Sequence, residues 1–423
     1  MQKPIRILMF GWEFPPFNSG GLGTACYGLT KGLSRKNVEI IFVLPRASGV
    51  KNENYMKILN TSQLDLNKKN IKFKTIDSII TPYVSSEAYL AERYKSSKIE
   101  IDEKMMYGED LFSEVMRYSQ EAKIIAANED YDVIHCHDWL TFPAGIEAKK
   151  TAKKRGMNTP LITHVHATEF DRTAGHPNQT VYNVERLGMH EADAIITVSN
   201  YTRNLVMKHY AVDEKKIHVI HNSIDYAPNY SHEEFKLKKH HKIVLFVGRM
   251  TIQKGPDHFL WIAKKIAEQD DNIRFVMVGS GDMFPYIVAE AANLGIGDKV
   301  FFADFMPQKD VERAYRMADV YVMPSISEPF GLTALESMKN GTPVIVSKQS
   351  GVSEIIKNCI VVDFWDINKI AENILDVIYN LEKRNNLVSE TMKEIKKFSW
   401  EEPARKCMNL YGRLLLEKSS LTA

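Results

Sequence analysis

The chain has 423 residues, of which 44% are hydrophobic and 26% are charged, a composition typical of a globular protein with two or three domains. Because 55 Lys and Arg nearly balance 53 Asp and Glu, the net charge is only +2, and no overall field favours nucleic acid as a partner. Four widely spaced cysteines without a CxxC pair argue against a zinc ribbon or a disulfide framework, and they favour reduced thiols in a cytoplasmic protein.

The start of the chain shows no targeting signal. An apolar run at residues 5–10 follows almost at once, and it is too short for a signal peptide and lacks a small-residue cleavage site. No run approaches the roughly 18 apolar residues that a membrane span needs. We therefore expect no transmembrane segment, while a peripheral membrane contact through basic amphipathic stretches stays open.

Apolar runs bounded by turn residues alternate with helix-length amphipathic stretches in both halves of the chain. This pattern is typical of parallel sheets covered by helices. It predicts an α/β protein with one doubly wound sheet in each half. The predicted strands are residues 5–10, 39–44, 133–137, 160–166 and 194–198 in the first half, and 242–247, 274–278, 300–303, 320–324 and 343–347 in the second.

Two segments lack this alternation. A polar stretch rich in Lys and His runs from residue 226 to about 241 and has linker composition. We therefore divide the chain into domains at 1–225 and 226–395, with a helical segment at 396–423. Residues 48–110 are rich in Lys, Asn and Ser, and we expect them to form loops and irregular helices at the edge of the first domain.

A glycine-rich loop, Gly20-Gly21-Leu22-Gly23, follows the first predicted strand and precedes a helical pattern. Its glycines allow the backbone to approach a ligand closely, and its amides can face a phosphate. The loop matches neither the dinucleotide fingerprint nor the Walker loop. The alternative is that it forms only a tight turn between strand and helix.

Histidines mark the ends of two neighbouring strands. His137 and Asp138 end one strand, and on the next strand His164 and His166 share a face, with His166 at the carboxyl end where α/β sheets bind ligands. These groups can contact a substrate, or they can be structural hydrogen-bonding residues. Metal ligation by His164, His166 and Glu169 is a weaker option because nothing nearby completes a supported shell, so we predict no metal site.

Two cations follow the first strand of the second half. Arg249 comes directly after Gly248, and Lys254 lies five residues further on. An arginine fork and a lysine point charge at a strand end can neutralise a leaving diphosphate without a metal. The alternative is that both are ordinary surface cations.

Two carboxylates, Glu328 and Glu336, surround the start of a predicted short helix after strand 320–324. The amides of residues 331–333 open this helix without intrahelical acceptors, so they form a site for a phosphate. Carboxylates beside a phosphate would repel it. We therefore expect Glu328 and Glu336 to accept hydrogen bonds from sugar hydroxyls instead. This combination indicates a nucleotide sugar, whereas the alternative is a loop charge and a solvated helix residue.

In this order the motifs resemble those of the retaining GT-B type glycosyltransferases, in particular family 4 and the glycogen and starch synthases close to it. The resemblance runs from Trp12-Glu13-Phe14-Pro15-Pro16 and the glycine-rich loop, through Gly248-Arg249 and Lys254, to the element from Glu328 to Glu336. It implies two Rossmann-like domains that face a central cleft. It also implies that the helix in 396–423 crosses back to the first domain.

The resemblance assigns roles to individual residues. It implies His166, Arg249, Lys254 and Glu328 as catalytic residues, with His166 at the reacting sugar and both cations at the donor diphosphate. Glu336 would hold the donor ribose. The full set of implied donor-binding residues is Gly20, Gly21, Leu22, Gly248, Arg249, Lys254, Met306, Phe330, Gly331, Leu332, Thr333 and Glu336, and the acceptor side is assigned to His137, Asp138 and Asn200.

The activity that this resemblance implies is metal-independent transfer of a hexosyl, most simply glucosyl, unit. The donor would be a UDP-, ADP- or GDP-sugar that acts as co-substrate, with no separate cofactor, and the acceptor would be a hydroxyl of a glycan or another molecule. One departure concerns the donor: similar glycogen and starch synthases carry Lys-Thr-Gly-Gly-Leu where this chain has Asn18-Ser19-Gly20-Gly21-Leu22, which weakens the case for ADP-glucose.

α-Glucan synthesis is the leading interpretation because His137-Asp138-Trp139 resembles the acceptor region of those synthases. Four alternatives remain at this stage. They are a transferase that builds a cell-surface polysaccharide or glycolipid, a GT-B phosphorylase, a nucleotide-sugar epimerase, and a non-catalytic nucleotide-sugar-binding protein.

Overall fold

The computed structural model describes residues 3–15, 20–44, 71–75, 109–226, 240–304 and 306–420. Most of the segment 48–110 therefore lies outside the described residues, as do positions 16–19 before the glycine-rich loop and most of the predicted linker. The described residues form two parallel sheets, each with helices on both faces.

The first sheet has seven parallel strands in the order β3-β2-β1-β4-β5-β6-β7. Every residue of its central strands β4 and β5 is buried because helices cover both faces. The strands are β1 Ile5–Phe10, β2 Val38–Leu44, β3 Ile71–Thr75, β4 Val133–His137, β5 Leu161–Val165, β6 Ala194–Thr197 and β7 Ile217–Val219. The helices are α1 Gly21–Ser34, α2 Glu109–Asn128, α3 Phe142–Lys154, α4 Glu169–Arg172, α5 Gln179–Glu191 and α6 Asn200–Tyr210.

The second sheet has six parallel strands in the order β10-β9-β8-β11-β12-β13. The strands are β8 Lys242–Val247, β9 Ile273–Val278, β10 Val300–Ala303, β11 Val320–Met323, β12 Val344–Ser347 and β13 Ile360–Val362. The helices are α7 Pro256–Ala267, α8 Phe284–Asn293, α9 Gln308–Met317, α10 Leu332–Lys339, α11 Ile367–Tyr379, α12 Leu381–Ile395 and α13 Glu401–Ser420. No helix in the described part of the chain combines the length and apolarity that crossing a bilayer requires.

The predicted α/β class with two doubly wound sheets is confirmed. Three edge strands were not predicted, and the expectation of loops and irregular helices was wrong for β3, which pairs in parallel with β2. The other two, β7 and β13, have only three residues each. Such short edge strands carry too few residues for a periodic pattern to stand out.

The last helix, α13, lies on the first domain. Its Tyr411 and Leu414 belong to the core formed by β1, β2 and α1, and Trp400, just before the helix, is only 6% exposed there. Trp400 packs directly against two glycines of α1, where a larger residue would not fit. A Cβ on Gly28 would lie 2.0 Å from the Trp400 ring, and one on Gly32 would lie 2.4 Å from the Trp400 carbonyl oxygen. This packing joins the end of the chain to the helix that follows the glycine-rich loop.

We predict that Gly32→Ala lowers the free energy of unfolding by about 1–3 kcal/mol, the usual penalty for overpacking, because a backbone oxygen cannot rotate away from the new methyl group. The matched control is Gly412→Ala in α13, where a Cβ meets nothing within 4 Å. The control should be neutral or more stable by up to about 1 kcal/mol, since alanine favours helix. Urea unfolding measures both variants, and equal losses in the two would contradict this packing.

Candidate active site

The carboxyl ends of the two sheets face each other. Ser199, after β6, donates from Oγ to the carbonyl oxygen of Pro329, in the loop after β11, at 2.6 Å. A Cβ on Gly21, the first residue of α1, would lie 3.9 Å from Cδ1 of Leu332, the first residue of α10. The glycine-rich loop and the loop after β11 therefore border one cleft, at the edge where α/β sheets bind ligands.

An ion pair lies on the second-domain side of this cleft. Lys254 ends a short 3-10 turn after β8, and its Nζ is 2.5 Å from Oε2 of Glu328. Ser325 Oγ donates to the same carboxylate oxygen at 3.2 Å, and Glu328 is only 5% exposed. The two residues predicted to contact the donor are thus already positioned against each other.

Gly331 starts helix α10 in a conformation that favours glycine. Its φ is +107°, and a Cβ there would lie 3.0 Å from both Met323 Cε and Val352 Cγ1. As the N-cap residue it offers no side-chain acceptor to the first turn of the helix. The opening amides of α10 therefore have no side-chain cap, as a phosphate-binding helix start requires.

Glu336 lies one turn into α10 and is half-buried. Its Oε2 accepts a hydrogen bond from the Tyr315 hydroxyl at 3.2 Å. Burial raises the pKa of Glu336 to about 7, and the Tyr315 hydrogen bond opposes this rise. The carboxyl therefore titrates close to neutral pH.

His166 follows β5 on the first-domain side of the cleft, and its backbone is held by Asp138. Oδ1 of Asp138 accepts from the amide of His166 at 2.6 Å and from that of Ala167 at 3.3 Å. Asp138 itself has a φ of +60°, a conformation that aspartate tolerates better than most residues. Nδ1 of His137 lies 2.9 Å from Nε2 of His166, and burial lowers the pKa of His166 to about 3, so the ring is neutral.

The short helix α4 follows His166, and one of its carboxylates accepts a hydrogen bond from the other side of the cleft. Thr168 and Asp171 form a capping box, and Asp171 Oδ1 accepts from Ser327 Oγ at 2.5 Å. The next residue, Arg172, binds the carboxylates of both Glu169 and Glu185. The segment after His166 is therefore fixed on both of its sides, and its cross-cleft contact is the residue before Glu328.

A second carboxylate joins the domains. Glu354, in the 3-10 turn Gly351–Glu354, accepts from the amide of Asn200 at 2.9 Å and from that of Tyr201 at 2.7 Å, at the start of α6 in the first domain. His221 Nε2 lies 2.9 Å from the same carboxylate. Burial opposes ionisation, but these hydrogen bonds dominate and lower the pKa of Glu354.

Most of the predicted donor-side residues line this cleft or the elements that open onto it. Gly248 and Arg249 follow β8, and Met306 packs against the apolar cluster behind the loop after β11. Phe330, Gly331, Leu332 and Thr333 form the start of α10, while Gly20, Gly21 and Leu22 form the start of α1.

The residues assigned to the acceptor have other contacts. His137 is fully buried and Asp138 is 1% exposed, and both hold His166. The Nδ2 of Asn200 donates to Glu354. Their contact with an acceptor stays a prediction.

Three residues that join the two sides, Asp171, Ser327 and Glu354, were not predicted as site residues. The capping box at Thr168 and Asp171 has a readable spacing, which could have identified the start of α4. Nothing in the sequence indicates that Asp171 pairs with Ser327, 156 positions away.

Two family models match the chain. The model for glycosyl transferases group 1 matches residues 230–394, and the model for the starch synthase catalytic domain matches residues 6–218. An uncharacterized glycosyltransferase of Methanocaldococcus jannaschii is 30% identical over 96% of this chain and 98% of its own length. The chain belongs to the GT-B glycosyltransferases, close to the glycogen and starch synthases.

Other similar proteins agree with this assignment. The glycogen synthase of Mycobacterium tuberculosis is 23% identical over 84% of this glycosyltransferase and 80% of its own length. The structure of sucrose-phosphate synthase from Thermosynechococcus elongatus superposes with a TM-score of 0.73 at 19% identity, over 98% of this chain and 100% of that one. At that identity the structural likeness shows the shared fold.

We predict that Glu354→Ala loosens the first domain at α6, because two backbone amides there lose their acceptor in the other domain. Such a loss costs about 1–3 kcal/mol. Hydrogen exchange should become faster in the first turn of α6, and the radius of gyration from small-angle scattering should increase.

Glu394→Ala is the matched control, because Glu394 accepts from the amides of Lys357 and Asn358 within the second domain. It should speed exchange only near those two residues and leave the radius of gyration unchanged. If Glu354→Ala leaves exchange in α6 at the wild-type rate, Glu354 does not join the domains.

Proposed function

We propose that this glycosyltransferase moves a glucosyl unit from a nucleoside diphosphate sugar to a glycan hydroxyl with retention of anomeric configuration. The observation that carries the proposal is the 2.5 Å pair of Lys254 and Glu328, on a loop that is hydrogen-bonded through Ser327 to the segment of His166. This arrangement puts a cation for phosphate, a carboxylate for hydroxyls and a neutral imidazole around one cleft. A glucan acceptor is supported by the names of the matched relatives, glycogen synthase and starch synthase.

The leaving diphosphate is the centre of the proposed chemistry. Arg249 and Lys254 lie after β8, and Lys254 pairs with Glu328 in the loop that leads to the opening amides of α10. Fixed positive groups aimed at developing negative charge lower the barrier because they need no reorganisation during the reaction. No step of this chemistry requires a metal.

Retention by a covalent intermediate needs a carboxylate free to attack the sugar. Two buried carboxylates that hold the His166 segment have other hydrogen bonds: Asp138 accepts from two amides, and Asp171 accepts from Ser327 and Thr168. Both are at most 1% exposed. We therefore favour a front-face path, in which the leaving phosphate oxygen takes the proton of the acceptor hydroxyl as that hydroxyl attacks.

His166 supports this path as a neutral group. Its Nε2 is engaged by His137, and burial keeps the ring uncharged at neutral pH. A neutral imidazole next to the reacting sugar can hydrogen-bond to a hydroxyl without attracting the diphosphate away from Arg249 and Lys254.

The four free thiols, three of them buried, support a reducing compartment such as the cytoplasm.

A donor panel tests the proposal: UDP-, ADP- and GDP-glucose are offered with an oligoglucan, and release of nucleoside diphosphate is measured. We expect one donor to be consumed. Lys254→Ala should lower kcat by about 10²–10³-fold, the scale for a lost transition-state contact. Lys264→Ala in α7 removes the same charge at a surface ion pair with Glu268 and should leave kcat unchanged.

Glu328→Gln should reduce turnover more than nucleotide affinity, because its proposed partner is the sugar rather than the nucleotide. Consumption of no donor with any acceptor would refute the transferase proposal. Equal effects of Lys254→Ala and Lys264→Ala would remove Lys254 from the reaction.

Donor binding should depend on pH through Glu336. Since burial raises its pKa to about 7, the ribose-holding carboxylate forms as the pH rises from 6 to 8. A hydrogen bond to a charged acceptor is stronger than one to a neutral acceptor by about 1 kcal/mol, so the donor KM should fall about three- to fourfold over this range. Glu336→Gln should keep a high KM at all three pH values, 6, 7 and 8, and a wild-type KM that rises with pH would contradict this role.

A further inference from the structure

Four histidine rings form a continuous stack between β4 and β5. His135 and His137 lie on β4, His164 lies on β5, and His166 follows β5 directly, with its ring stacked on that of His164. Ring centroids are 4.6 Å apart for the first pair and 4.2 Å apart for the second. His166 alone among the four is partly exposed, and it borders the cleft.

The hydrogen bonds of the stack leave two ring nitrogens without a partner. Tyr411 Oη lies 2.7 Å from Nδ1 of His135, and Nε2 of His135 lies 3.2 Å from Nδ1 of His164. Nε2 of His137 and Nε2 of His164 have no hydrogen-bond partner, although both rings are at most 2% exposed. Buried polar atoms without partners are rare in proteins and call for an explanation, such as an ion that binds nearby.

A cysteine completes a ligand set at the cleft end of the stack. Cys26 is a buried free thiol in α1, and its Sγ, one nitrogen of His137 and one nitrogen of His166 all lie within 4.8 Å of one another. Burial and then the negative charges of Asp138 and Glu13 raise the pKa of the thiol. Those carboxylates make the surroundings favourable for a cation.

We propose that Cys26, His137 and His166 bind one Zn²⁺ ion, and that the bound ion inhibits glycosyl transfer. One sulfur and two imidazole nitrogens are ligands that zinc takes in tetrahedral sites. Nitrogens on one tetrahedral zinc lie roughly 3.3 Å apart, so the 2.9 Å between His137 and His166 needs to widen by only a few tenths of an ångström. Binding releases the thiol proton to solvent, and the proton shared by the two rings moves to the far nitrogen of its ring.

The partly exposed His166 gives this site a way in from the cleft. A second trio, His135, His137 and His164, also has ligand atoms within reach of one another, but all three residues are buried. Inhibition follows because zinc on His166 removes the imidazole from the reacting sugar and ties α1 to β4 and β5. Zinc binding stands on the geometry alone, whereas the inhibition rests on the proposed function.

Cobalt spectroscopy tests the binding without any need for activity. Metal-free enzyme titrated with Co²⁺ should develop sulfur-to-cobalt charge-transfer absorption, which saturates at one equivalent and is abolished by Zn²⁺. Cys26→Ser should lack this absorption, while Cys359→Ser, which removes a thiol in the second domain, should keep it. Absence of the band from wild-type enzyme overturns the proposal even if Cys26→Ser fails to fold.

Activity measurements test the inhibition. Micromolar Zn²⁺ should reduce wild-type turnover at least tenfold, and a chelator should restore it. Cys26→Ser should keep its metal-free activity and need at least about tenfold more zinc for the same inhibition, the scale on which altered metal sites lose affinity. Equal zinc sensitivity in both proteins overturns the proposal. If the enzyme consumes no donor, the proposed transferase function is wrong, but the cobalt spectrum still shows whether the metal site exists.

Discussion

The hydrogen bond from Ser327 to Asp171 sets the geometry on which the active site depends. It spans the cleft between the residue before Glu328 and the helix that begins three residues after His166. Asp171 is fully buried, and its other oxygen accepts from the amide and hydroxyl of Thr168, both at 2.7 Å. Because the acceptor cannot rotate, Ser327 can reach it from one position only. The spacing between His166 and Glu328 is therefore fixed by a contact that takes part in no chemistry.

Buried charges keep each side of this contact rigid. Arg172 pairs with both Glu169 and Glu185 at α4, and Lys254 pairs with Glu328 on the other side of the cleft. An unpaired charge at these depths would be strongly destabilising, whereas a paired and hydrogen-bonded one holds its neighbours in one arrangement. Preorganisation of this kind is what electrostatic stabilisation of a leaving phosphate needs. The loops that carry His166, Lys254 and Glu328 are short segments at strand ends, and the two sheets hold these loops in place.

The histidine stack shows how burial gives one side chain two chemical uses. Burial lowers the pKa values of all four rings, so they are neutral and each offers a lone pair. A neutral His166 suits a site that handles a diphosphate, since it does not compete with the cations. The same lone pair makes the ring a ligand for a borderline metal ion such as zinc. Sensitivity to zinc is thus a physical consequence of the arrangement that serves the sugar.

Much of the fold could be read from the sequence because buried parallel strands are largely apolar runs, and ten such runs marked ten of the thirteen described strands. The cleft residues that carry local signals, such as Gly331 and Lys254, could be read in the same way. Contacts between distant segments could not: Asp171 and Glu354 have ordinary local sequences, and their importance comes from partners in the other domain. The complete burial of His137 could not be predicted either, because strand alternation shows on which face a residue lies but not how deeply that face is buried.

The stereochemistry of transfer tests the central claim that the reaction occurs at the diphosphate on one face of the sugar. Proton NMR of the product formed from an α-configured nucleotide sugar, recorded before any mutarotation, reports the new anomeric centre directly. An α-linked product is expected, because the acceptor approaches from the side on which the phosphate leaves. A β-linked product would contradict the front-face path and would require a protein base on the opposite side of the sugar.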